Sequence, residues 1–240
     1  MVGILSKFST VVLMASIALM TTPVEAQRSA GLSTDLPDSQ TLRVQRRVDE
    51  LYERGEFDRA YLIYRNELAP VGDKYAQYMV GYMHLMGRGA AEDPVVASAW
   101  YRLAAERDTP EFAAVRDQLM RDLSADEQRR SDDHFLRLRR QFSDLVVLLE
   151  DIKRKHHELQ PATGSRLARA HSPMTVIDTK SATQSQSGAF YYGRIEREME
   201  QKLVMLAEIG NLPDLETDPA RVDIKEVERL VNERIESIPD

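Results

Sequence analysis

Apolar residues recur at helical spacing along most of the chain, and turn residues divide them into runs. From Thr41 to Arg54, the residues Leu42, Val44, Val48, Leu51 and Tyr52 mark one helix, and Gly55 closes it. Phe57 to Leu68 predicts its partner, with Ala60, Tyr61, Ile63, Tyr64 and Leu68 apolar and Pro70-Val-Gly72 as the stop. Tyr75 to Glu106 reads as two helical runs around a glycine-bearing loop, and Thr109-Pro110 opens another helix that ends near Leu123. Ser124-Ala-Asp-Glu127 is a capping box, after which the pattern predicts one long helix to about Leu159. Periodicity fails over 160–189, where Pro161, Gly164 and Pro173 break any helix and 174–177 allows a short strand. It returns at Tyr191–Ile209, with Ile195, Met199, Leu203, Leu206 and Ile209 on one face and Gly210-Asn211 as the stop. Asp223-Ile-Lys-Glu226 opens a last helix carrying Val227, Leu230, Val231, Ile235 and Ile238. The fold class expected from this pattern is all-α.

The stretch from Tyr75 to Glu106 is the most specific. Gly81 and Ala97 leave room for two helices to approach closely, and Trp100 can fill the gap beside Ala97, Ala104 and Ala105. Gly87 and Gly89 give backbone freedom where the chain reverses. Asp93-Pro94 is a helix start, an N-cap acceptor followed by a residue with no N–H to lose. Gly87-Arg-Gly89 is read as this turn; a phosphate-cradling loop would carry a longer glycine pattern and a Lys-Ser/Thr. On the first helix, Tyr75, Tyr78, Tyr82 and Leu85 form an apolar strip. It has two readings: packing against Tyr61 and Tyr64 of the preceding pair, which helical spacing favours, and a partner-binding surface, for which tyrosines are well suited.

This unit resembles the Sel-one-like repeat family, a relative of the tetratricopeptide repeats. Ala76, Gly81, Met83, Gly87, Gly89, Asp93, Ala97, Trp100, Tyr101, Ala104 and Ala105 follow the family's order and spacing. His84 stands for the usual Tyr, Ala90 for Val, and Asp108 for the glycine that ends the second helix. The resemblance is full over this unit and weak in the two that flank it. It implies a short α-α solenoid over 41–123, each unit touching its neighbours, with the first helices lining a concave groove. The helix over 124–159 would then cap the array, since a terminal unit otherwise leaves apolar surface in water.

The seam Phe135, Leu138, Phe142, Leu145, Leu149 and Ile152 alternates spacings of three and four. It could make an intermolecular coiled coil, and hence a dimer. It is shorter than the roughly three to four heptads such coils need. Nine acidic and nine basic residues balance along 120–160, as on a solvated helix with one docked stripe. Docking within one chain is therefore preferred, with Ile195, Met199, Leu203 and Leu206 as a partner stripe of matching length, in a monomer.

The N-terminus has the form of a signal peptide over 1–26. Lys7 supplies the positive charge, Val11–Met20 the apolar core, and Val24-Glu25-Ala26 a small-residue cleavage site. The apolar run is short of the ~20 residues a membrane span takes, although an uncleaved anchor is the alternative. No cysteine follows to carry a lipid, and no later stretch is apolar enough to span. Residues 27–40, rich in Ser, Gly, Thr and Pro, read as a disordered lead-in, and 160–189 as a flexible linker. The chain holds no cysteine at all, so packing must supply its stability. A net charge of −7 argues against nucleic-acid binding. Much of the negative charge lies in the 190–240 helical segment, with thirteen acidic and seven basic residues, read as a solvated face.

No catalytic constellation emerges, and no cofactor or metal is expected. His157-Glu158 begins like a zinc-protease helix, but Pro161 stands where the second His is needed. His156 and His157 are adjacent and point to different faces. No Gly-x-Ser-x-Gly and no Ser-x-x-Lys occurs. The expected function is a non-catalytic protein-binding adaptor or scaffold of the cell envelope, not an enzyme. Exported members of the resembled family point to a bacterial periplasm rather than a eukaryotic secretory lumen. A structural oligomer built through the 135–152 seam is the alternative, and a cell-wall-associated enzyme a third for which no residues speak.

Overall fold

The computed structural model describes residues 39–160, 175–177 and 185–237, with side chains at all but 175–177 and 185–187. The expected signal peptide, all but the end of the lead-in, and much of the 160–189 linker lie outside the described residues. The described chain is helical apart from one small strand pair. It divides into two compact units, the first ending at Val147 and the second starting at Leu148.

The first unit opens with α1 (Ser39–Glu53), two residues earlier than the composition suggested, and Gly55 turns the chain at φ +76°. Its partner α2 (Phe57–Ile63) does not continue as α-helix to Leu68. It widens into a π-helical turn at Tyr64–Leu68 and tightens into a 3₁₀ turn at Ala69–Val71, which periodicity alone does not reveal. Then follow α3 (Lys74–Met86), α4 (Pro94–Ala104) with a 3₁₀ turn at Ala105–Arg107, α5 (Pro110–Asp122), α6 (Ala125–Phe142) and α7 (Asp144–Leu159).

Side-chain contacts give the relative directions of these helices. Gln45 Nε2 of α1 donates to Asp73 Oδ2 at 2.9 Å, just before α3, and two turns on Tyr52 couples to Tyr82, so α1 and α3 run parallel. The Tyr61–His84 and Tyr64–Tyr75 ring contacts set α2 antiparallel to α3. Lys74 reaches the Leu103 carbonyl while Gly81 abuts Ala97 and Trp100, which sets α4 antiparallel to α3. Ser131 meets Ser98 at 2.6 Å and Asp132 meets Arg102 at 2.6 Å, packing α6 along α4. Trp100, only 2% exposed, stacks on Phe142 with ring centroids 5.4 Å apart. Tyr64, Tyr101, Phe112, Met83 and Leu103 complete a fully buried core.

The expected helix over 124–159 is broken. Ser143 takes an extended backbone (φ −64°, ψ 158°) and its Oγ accepts from the Val146 N–H at 3.4 Å, so it ends α6 and caps α7. Ser-Asp is a good helix start, and the break is fixed by distant residues, since Asp144 is held by buried cations described below. The expected capping box at Ser124 and Glu127 is present in both directions. Phe142, Leu145, Leu149 and Ile152 of the seam are buried within the chain, while Phe135 and Leu138 are partly so.

In the second unit, β1 (Thr175–Ile177) pairs antiparallel with β2 (Ser185–Ser187), so part of the expected linker is ordered. α8 (Gly188–Gly210) begins at once after β2, and α9 (Ile224–Ser237) follows a turn region. The C-terminal part of α7 runs antiparallel to α8: Asp151 pairs with Lys202 at 2.7 Å and Lys155 with Glu198 at 2.5 Å. Lys153 reaches Glu228 of α9 at 3.3 Å. Ile195, Met199, Leu203 and Leu206 are buried, as are Val227, Val231 and Ile235. Two expected caps differ in detail. Gly210 is still helical, and Asn211 takes the left-handed position at φ +50°. Asp223 Oδ1 accepts from Lys225 N–H, but Glu226 is drawn to Arg229.

Candidate partner-binding surface

Helix α3 carries the strip singled out by the sequence, and its ends are well defined. Asp73 Oδ1 accepts from Ala76 N–H at 2.9 Å, and Gly87 at φ +62° closes the last turn. The strip is not uniformly at the surface. Tyr78 is 3% exposed and Leu85 7%, so both belong to the core; Tyr75 and Tyr82 are half-buried and keep an outward edge. Tyr78 stacks on Phe112 of α5 at 5.0 Å and meets Tyr101 edge-on at 4.9 Å. The reason lies in helix geometry: at about 100° per residue Tyr78 and Leu85 fall together on the inward side of the strip, and Tyr75 and Tyr82 together on its outward side.

Residues beyond the strip extend the half-exposed aromatic surface. Tyr52 touches Phe57 edge-on at 5.1 Å and bonds to the Arg88 guanidinium, which lies 5.4 Å from the Phe57 ring centre. Nearby, Tyr61 donates to His84 Nε2 at 3.1 Å, and the Ala91 carbonyl, which can only accept, fixes the proton on His84 Nδ1. Burial lowers the His84 pKa, so the ring is neutral and the arrangement holds. In the sequence Arg88 is a loop residue between two glycines; its place near three aromatics depends on the α1–α3 pairing. The buried phenols of Tyr78 and Tyr101 have raised pKa values, chiefly through desolvation. Neither hydroxyl makes a hydrogen bond of ordinary geometry.

A second polar cluster lies at the other end of α3. Lys74, 2% exposed, donates to Glu106 Oε2 at 2.7 Å, Leu103 O at 3.0 Å and Gln77 Oε1 at 3.1 Å, and pairs with Asp144 Oδ1 at 3.0 Å. Arg107 holds Asp144 through Nε at 2.8 Å and Nη2 at 2.9 Å, and also donates to the Gly72 carbonyl. Gln77 completes the set by donating to the Ala69 and Phe142 carbonyls. Burial pushes the Glu106 carboxyl up; at Asp144 burial acts the same way but Lys74 and Arg107 outweigh it and hold the carboxyl low. Two cations meet two carboxylates, and each ammonium proton has an acceptor. The cluster is a clamp with no free nucleophile or base. Lys74, Gln77 and Gly81 share one face of an apolar helix, and a lysine on that face was the signal that could have found it.

Among the described residues no group of three or more His, Asp or Glu side chains could hold a metal ion, and no helix is long and apolar enough to cross a membrane. Compared with protein-family models, curated proteins and solved structures, the chain matches none.

Proposed function

We propose that the chain is a non-catalytic protein-binding adaptor or scaffold that works through an α-helical repeat surface. The observation that carries this reading is the repeated pairing of helices. α1, α3 and α5 start at Ser39, Lys74 and Pro110, about 35 residues apart as in tetratricopeptide-like arrays, and α1 and α3 are each followed by a helix packed against them. Gly81 approaching Ala97 and Trp100, and the left-handed Asp108 in the terminating position, fit the Sel-one-like resemblance drawn from the sequence. Such arrays present side chains rather than build catalytic sites. The surface assigned to the partner is the half-exposed part of the aromatic group: Tyr75, Tyr82, Tyr52 and Phe57, with Arg88. Tyr78 and Leu85 support it from below. Export to a bacterial periplasm is part of the proposal and rests on the signal-peptide pattern over 1–26.

The test is affinity capture from the native envelope fraction with wild type and with Tyr75→Ser/Tyr82→Ser. The expected result is a partner retained saturably by wild type and released by a variant of unchanged far-UV circular dichroism. A partner held equally by both would overturn the assigned surface.

A further inference from the structure

We draw no further inference here: the strongest candidate, the side-chain cluster in which the Arg88 guanidinium is held against Tyr52 and over the Phe57 ring, belongs to the surface already described, and nothing in the structure shows what covers it.

Discussion

Gly81 and Ala97 touch along their backbones: a β-carbon on Gly81 would stand 3.2 Å from the Ala97 carbonyl oxygen and 3.2 Å from the Trp100 β-carbon. That contact sets the spacing of α3 and α4. Gly81→Ala gains roughly 1 kcal/mol in helix propensity and loses a similar amount to crowding, so it should be near neutral. Gly81→Leu should cost about 3 kcal/mol or more, because the helices must part. Urea unfolding of the two variants checks the contrast; equal stability would mean that the helices are not in close contact.

Trp100 is the wedge beside that contact. Its truncation to Ala removes the ring stacked on Phe142 from a site closed on all sides. The expected loss is about 3–5 kcal/mol by thermal or denaturant unfolding.

Lys74→Met should cost on the order of 3–5 kcal/mol, since two buried carboxylates lose their shared cation. The same clamp predicts a pH dependence. Asp144 has a folded pKa below its ordinary value, so its stabilisation is fully present above about pH 4 and is lost as pH falls through the folded value. Stability measured from neutral to strongly acidic pH should therefore fall less steeply at the acid end in Asp144→Asn than in wild type.

Gly55 and Gly89 provide an internal control. Both have positive φ, +76° and +73°, so alanine strains each by about 1 kcal/mol. A β-carbon at Gly55 meets nothing within 4 Å, whereas at Gly89 it would lie 2.4 Å from the Phe57 carbonyl oxygen. Gly89→Ala should be the more destabilising by several degrees of melting temperature.

Asp108 occupies a left-handed position at the end of the α4 turn. Asp108→Gly should raise stability by roughly 0.5–1 kcal/mol, as relief of strain exceeds the added freedom of the unfolded chain. A lower melting temperature would show that the aspartate side chain contributes there in its own right.

Much of this fold was legible because its determinants are local. The Ser124–Glu127 box, the Asp93-Pro94 start and the glycine turns at 55 and 87 act within one turn of chain. The break at Ser143 was hidden, since the heptad spacing of Phe142, Leu145 and Leu149 continues across it. What decides the break is Asp144, whose partners Lys74 and Arg107 lie far back in the sequence. The candidate surface divides in the same way. Helical spacing groups Tyr75, Tyr78 and Tyr82, but only the placement of Phe112 determines that Tyr78 is covered. Arg88 joins the group through Tyr52 and Phe57, a long-range consequence of helix pairing.

The burial of Trp100 has a spectroscopic consequence. It is the chain's one tryptophan, and it sits in the first compact unit, stacked on a phenylalanine. Intrinsic emission therefore reports on that unit alone, with a blue-shifted maximum that moves red only when α3, α4 and α6 come apart. Helix loss in α8 and α9 is dark to it and visible only in far-ultraviolet ellipticity. Overlaying the two unfolding curves turns the location of a single indole into a direct measure of how far the two units share one cooperative transition.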